Sequence, residues 1–327
     1  MGDPSHSSAP PAWIAAQPKP AGRAGIGLLV KGVVSVLLLA FLMRKVDWAA
    51  TESRLMAASP VPLAVALALL IVAVFFAALR WRMLVGRSGA PMSAAQAVQL
   101  TFAGMFFGQV LPATIGGDVV RGVLACRSGL GWRDVVSGIV LDRVTALLAS
   151  VLLILAGLPW LSEVATGNAA SLMLTALASV VLVVLLAAGL CIDLVPLPRV
   201  LTQRSWIHAG LALAKQVRTG LASRTGIAAL GLSLVIHLST VVVVMLIGDG
   251  LGVTVSPLAG FVIVPVAILA AAVPVSVNGW GVREGVMVAG FALFGISSGD
   301  ALLISILLGF GVILSVLPGS ITWLALR

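Results

Sequence analysis

Six apolar runs, Gly25 to Met43, Val61 to Leu84, Val135 to Leu158, Ala170 to Ile192, Ile227 to Ile247 and Ala301 to Leu326, divide this chain. Each holds roughly the 20 residues that a helix needs to cross the hydrocarbon of a bilayer. Lipid offers the backbone no hydrogen bonds, so such runs are stable in it only as helices or closed barrels, and runs of this length are helices. Hydrophobic residues make up 60% of the sequence and charged ones 9%, with a mean hydropathy of +1.17. No water-facing globular surface has that balance. An all-α membrane protein is therefore expected, with about six full spans.

Two further apolar regions, Ala94 to Leu111 and Pro257 to Val273, are shorter and run into segments rich in Pro, Gly, Ser and Asn. They are expected to be broken or re-entrant helices, which brings a conventional count of hydrophobic segments to about seven to nine. Residues 1–22 carry Pro4, Pro10, Pro11, Pro18 and Pro20 among Ser and Ala. That composition buries no core, so the expected organisation is a disordered tail followed by one polytopic domain over residues 23–327.

Basic residues set the orientation. Arg80 and Arg82 at the end of the second run, with Arg87 just past it, are assigned to the link after that span, and Arg199, Arg204, Lys215, Arg218 and Arg224 precede Ile227, whereas the links holding Glu163 and Asp249 carry no Lys or Arg. The first two links and the N-terminus are expected on the cytoplasmic side of a cell (inner) membrane. The net charge of +9 belongs to these loops, so no nucleic-acid partner is expected. Residues 199–224 read as an amphipathic cytoplasmic helix, with Trp206, Gly210, Leu213, Val217 and Leu221 opposite Arg204, His208, Lys215 and Arg218. Such a helix suits the membrane interface. Cys126 and Cys191 and the three histidines are scattered, and no metal, cofactor or disulfide is expected.

The segment Pro112-Ala-Thr-Ile-Gly-Gly-Asp-Val-Val-Arg121 aligns without a gap on Pro274-Val-Ser-Val-Asn-Gly-Trp-Gly-Val-Arg283, at an offset of 162 residues from 112 to 274 and from 121 to 283. Pseudo-repeat elements are thus expected near 94–158 and 257–326. With three spans expected between the copies, the repeat is inverted, an arrangement in which interrupted helices hold substrate near the bilayer middle. Pro112 and Pro274 are expected to break the incoming helices, and Gly116, Gly117 and Gly279 to turn the chain. Freed N–H groups, the Thr114 and Ser276 hydroxyls and the Asn278 amide then face an anionic headgroup, with Arg121 and Arg283 pairing its phosphate. Asp118, Asp142, Arg143 and Glu284 complete the candidate binding set, because charges at membrane depth usually line a pathway. The alternative reading of these charges is a set of fold-stabilising ion pairs.

At these residues the chain resembles a family of flippase-like membrane proteins that includes the transmembrane region of lysylphosphatidylglycerol synthases. The resemblance rests on LPATIGGDVVR, on GIVLDRV around Asp142 and Arg143, and on PVSVNGWGVREG. It covers about residues 25–326. Where the family often has Asn near the first proline this chain has Gln109, and where Gly-Gly is usual in the last element it has Asn278-Gly279. The resemblance implies translocation of phospholipids or lipid-linked headgroups between leaflets. Members that make aminoacyl lipids carry an added soluble synthase domain, so transferase activity is not expected here. The expected partners are membrane lipids with anionic or modified headgroups. The alternatives are a membrane-embedded synthase or transferase component, with Asp118, Asp142 or Glu284 as base, and a scaffold for lipid-biosynthetic enzymes. The absence of metal-ligand spacing and of phosphate-loop motifs makes a non-enzyme the expectation.

Overall fold

The computed structural model describes residues 22–44, 46–86, 92–110, 116–164, 191–194 and 205–325. All regular structure among them is helical: α1 (Gly22–Met43), α2 (Trp48–Met56), α3 (Pro60–Val85), α4 (Ala94–Val110), α5 (Gly116–Arg127), α6 (Trp132–Val164), α7 (Ser205–Leu221), α8 (Arg224–Gly250), α9 (Pro257–Ala272), α10 (Val282–Ala292), α11 (Ser298–Val316) and α12 (Pro318–Ala325), with a short 3₁₀ turn at Ile192–Leu194. Four stretches are long and apolar enough to cross a membrane, namely Pro60–Val85, Trp132–Trp160, Arg224–Gly250 and Ser298–Leu324. The apolar part of α1, Leu29–Met43, is shorter. The expected span from Ala170 to Ile192 lies almost wholly outside the described residues, as does the tail before residue 22. The chain is an all-α membrane protein.

Local sequence sets the helix ends. Ser59 precedes Pro60 and Ser256 precedes Pro257, each serine in extended backbone and each proline at a position where a helix has no use for its N–H. Ser223, Ser256 and Ser297 accept the N–H of the residue three further on, capping α8, α9 and α11. The outward faces stay apolar. On α3, Val61, Val65, Val72, Phe75 and Leu79 are exposed, a pattern that suits lipid rather than water.

The helices recur in two groups of matching order. A long helix (α3), a hairpin of two short helices (α4 and α5) and a second long helix (α6) are followed later by α8, the hairpin α9 and α10, and the continuous stretch α11–α12. The short helices have 17 and 12 residues in the first hairpin and 16 and 11 in the second. Packing between the groups is reciprocal: α3 lies on α8, α4 on α12 and α9 on α6. Each group has its own core. Trp81, Val85, Leu100, Ala103, Leu124 and Val135 form the first. Val244, Ile263, Met287, Phe291, Ile304 and Leu308 are in the second, where Ala66 and Leu70 of α3 join them.

The second hairpin turns where the sequence suggests. Helix α9 ends at Ala272, and Val273 is extended with φ −69° and ψ 126°, the conformation imposed on a residue before proline. Asn278, Gly279 and Gly281 then take positive φ of 49°, 79° and 88°. A Cβ on Gly279 would lie 2.5 Å from the Ala271 Cβ. Gly279→Ala is expected to cost about 1–3 kcal/mol, whereas Gly285→Ala, inside helix α10 where nothing lies within 4 Å, should leave thermal unfolding in detergent unchanged or slightly raised.

The first hairpin departs from expectation. Gly116 and Gly117 do not turn the chain; they open helix α5. A Cβ on Gly117 would stand 2.3 Å from the Gly104 carbonyl oxygen and 2.9 Å from the Gly108 Cα. The missing side chain is needed for close approach of α4 and α5, the role small residues play at helix contacts in membranes.

Helix α7 also differs in what it covers. Its expected apolar stripe is present, but Leu213, Val217 and Leu221 pack on Leu84, Leu141 and Ala229, so at least this part of the stripe faces protein rather than an interface. Residues 199–204 lie outside the described set, and Lys215 is exposed. Arg218 donates to both Asp193 carboxylate oxygens, at 3.1 and 2.6 Å. That hydrogen bonding holds Asp193 below the usual carboxylate range. A lowered folded-state pKa stabilises above the unfolded value of about 4 and is lost as pH falls through the folded value. Wild type is expected to melt above Asp193→Asn at pH 7, and the gap should close in acid.

Candidate functional site

Helices α3, α5 and α6 bring five charged side chains to one place, and α8 adds a serine. Arg80 of α3 is buried and donates from Nε to Asp142 Oδ1 of α6 at 2.7 Å and from NH1 to Ser233 Oγ of α8 at 2.8 Å. Arg121 of α5 donates from NH2 to Asp142 Oδ2 at 3.2 Å and to Asp118 Oδ1 at 3.0 Å. Arg143 of α6 donates from Nε to Asp118 Oδ2 at 2.6 Å. The ion pairs form a continuous chain, Arg80–Asp142–Arg121–Asp118–Arg143. Its inner end is buried, but the Arg143 side chain is 57% exposed. Arg143 lies eleven residues past Trp132, roughly 16 Å along a helix, well inside the Trp132–Trp160 span. An exposed charge at that depth costs several kcal/mol unless water or a counter-ion reaches it.

The packing of the first hairpin determines where Arg121 sits. Gly104 of α4 faces the Arg121 Cβ and Cδ, and the Arg121 guanidinium carbon lies 4.5 Å from the Trp81 ring centroid. This cation–π contact offsets part of the cost of burying the charge.

The counterpart in the second group is smaller and self-contained. Glu284, fully buried, accepts from the Gly281 N–H at 2.6 Å, from Arg283 Nε at 3.0 Å and from Ser305 Oγ at 3.1 Å. Arg283 also donates to the Ser305 carbonyl at 3.1 Å and stacks over Trp280. Several N–H groups of this break are taken up within the protein. Val277 N–H donates to Ser35 Oγ of α1 at 2.9 Å, Val275 N–H to the Val273 carbonyl at 2.8 Å and Trp280 N–H to the Val277 carbonyl at 3.0 Å.

Among the described residues the two hairpins are joined by a hydrogen bond. Asn278 Nδ2 donates to the Gln109 carbonyl at the end of α4, at 3.2 Å. The candidate residues are therefore distributed unevenly. Asp118, Arg121, Asp142 and Arg143 converge, and Arg283 and Glu284 pair elsewhere. Asn278 bridges the hairpins, Pro274 is exposed, and Ser276 is buried with its hydroxyl unpartnered among the described residues. Pro112 and Thr114 lie outside the described residues.

Sequence reading missed Arg80, Trp81, Ser233 and Ser305. Arg80 had been assigned to a cytoplasmic link, but α3 continues to Val85 and buries it. The available signal was its register: Trp81, Leu84 and Val85 continue the buried face that starts at Ala66, Leu70 and Val74.

No curated protein and no solved structure matches the chain. The family described as lysylphosphatidylglycerol synthase TM region matches residues 28–319, a stretch that contains both hairpins and the whole ion-pair chain. This protein belongs to the lysylphosphatidylglycerol synthase TM region family.

Proposed function

We propose that the protein moves a phospholipid or lipid-linked headgroup between the two leaflets of a membrane, without chemical conversion. The observation that carries this reading is the ion-pair chain that runs from buried Arg80 to exposed Arg143 inside a spanning helix. A headgroup needs polar partners at the depth where lipid supplies none, and exposed charge there provides them while the tails stay in hydrocarbon. The family supports a lipid-related role. Two helix groups joined through α3 and α8, with hairpins touching at Asn278 and Gln109, are the parts from which alternating exposure by rocking is built. In this reading the protein sits in the cell membrane with a cytoplasmic N-terminus and has membrane lipids, and the enzymes that make them, as partners.

The test is translocation of fluorescent lipids in reconstituted vesicles. Wild type is expected to accelerate exchange of an anionic lipid between leaflets. Arg143→Ala should slow it at least about tenfold, the loss of one charge-assisted contact, while elution and unfolding stay near wild type because this side chain is exposed. Vesicles that show no acceleration for anionic, aminoacylated or glycosylated lipids would refute the reading.

A further inference from the structure

The turn of the second hairpin is held from two sides. On one side Val277 N–H donates to Ser35 Oγ of α1, and Gly281 lies against Leu38 of the same helix. On the other, Asn278 Nδ2 donates to the Gln109 carbonyl. That carbonyl is among the last four of α4, which have no partner inside their own helix. Contact between the two hairpins is otherwise slight. Helix α4 packs instead on α3, α5 and α12, and α9 and α10 pack on each other and on α6, α8 and α11.

Asn278 is also the one non-glycine residue with positive φ among the described residues, at 49°. An L-residue pays there a cost that glycine does not, and such a residue persists where its surroundings determine it. What Asn278 has that glycine lacks is the amide that reaches α4. The net gain from one neutral hydrogen bond and the cost of positive φ are of similar size, so the hairpins are held closed by little.

We infer that the Asn278 amide on the Gln109 carbonyl is the latch that keeps the two hairpins closed, and that it opens in each translocation cycle. The second clause rests on the translocation reading. Both hairpins survive the opening: Val277 stays on α1, and the close approach of Gly104 and Gly117 keeps α4 on α5. Beside the latch Val273, Pro274 and Val275 are exposed. Irregular backbone at membrane depth lines a cavity rather than lipid, so parting the hairpins there widens a polar path for a headgroup.

The test uses the full chain in lipid vesicles, with Cys126 and Cys191 replaced by Ser and with Val110→Cys and Val275→Cys, two sites more than half exposed on opposite hairpins. Spin labels on this pair read the distance between the hairpins. Asn278→Gly keeps positive φ and removes the amide. It is expected to raise the ratio of the longer to the shorter distance about tenfold, the loss of one hydrogen bond, with thermal unfolding near that of the parent. Gln109→Ala is expected to leave the distances unchanged, because the acceptor is main chain. A short cleavable bismaleimide joining the same cysteines is expected to stop lipid translocation, and its cleavage to restore it. The cross-link needs no change at 278, so it decides the question even for an Asn278→Gly protein that fails to fold. Distances that Asn278→Gly leaves unchanged overturn the latch, and full-rate translocation with the hairpins tied overturns its opening in the cycle. A distance shift in vesicles that translocate no lipid supports the latch and removes the translocation reading.

Discussion

Asp142→Ala is expected to destabilise the protein by about 3–5 kcal/mol, the cost of leaving a buried partner charge uncompensated. Asp142 is the only acid that contacts both Arg80, at 2.7 Å, and Arg121, at 3.2 Å, among the described residues. All three are buried. Without the carboxylate, Arg80 retains a hydroxyl acceptor in Ser233, and Arg121 retains Asp118, which it shares with Arg143. A loss of that size is a large share of the about 5–15 kcal/mol that holds an ordinary domain together, so much of the variant should be lost or aggregated during extraction into detergent. Asp142→Asn keeps the shape and one acceptor oxygen and should fall between. The informative comparison is Arg80→Met/Asp142→Leu, which removes charge and counter-charge together and is expected to recover much of the loss. Thermal unfolding and gel filtration of the four proteins check this. An Asp142→Ala protein that melts like wild type would mean that water, not Asp142, neutralises the two arginines.

That prediction needed coordinates because sequence reading assigned Arg80 to a solvated loop. The membrane fold was legible: apolar length alone identifies α3, α6, α8 and α11–α12 as spans, since a bilayer admits few structures. Asp118, Arg121, Asp142 and Arg143 stand out in the sequence because a charge at membrane depth is expensive, but the sequence reading joined them in one set with Arg283 and Glu284, which pair elsewhere. Partner choice was not legible. Asp142 pairs with a residue 62 positions away, and the register at which α3 meets α6 depends on fits such as Val85 against Gly138 that no pattern of hydrophobicity encodes. Glycine misled for a related reason. Gly279 and Gly117 look alike in the aligned segments, yet one takes φ +79° and the other is helical and pressed on a neighbouring backbone. Permissive φ and absence of a Cβ are two separate properties of the residue, and sequence does not say which is in use.

The contact at Gly117 sets up the second large effect. A Cβ there would meet the Gly104 carbonyl oxygen at 2.3 Å and the Gly108 N and Cα at 2.9 Å. All three are backbone atoms of α4, so no side-chain rotation relieves the overlap and the helices must separate. Gly117→Ala is expected to cost up to about 3 kcal/mol, the upper range for inserting one group into a packed interior. Its effect should reach the ion-pair chain, because Gly104 also lies against Arg121 and parting α4 from α5 moves that guanidinium relative to Asp142 and Trp81. Gly108→Ala is the control on the same face: its Cβ meets only the Gly117 Cα, at 3.8 Å, an ordinary contact, and should change stability by no more than about 0.5 kcal/mol. The pair is read by unfolding in detergent and by lipid translocation in vesicles, with both losses expected for Gly117→Ala and neither for Gly108→Ala. If the two variants behave alike, α4 and α5 do not meet at these glycines, and the position of Arg121 is set by its ion pairs alone.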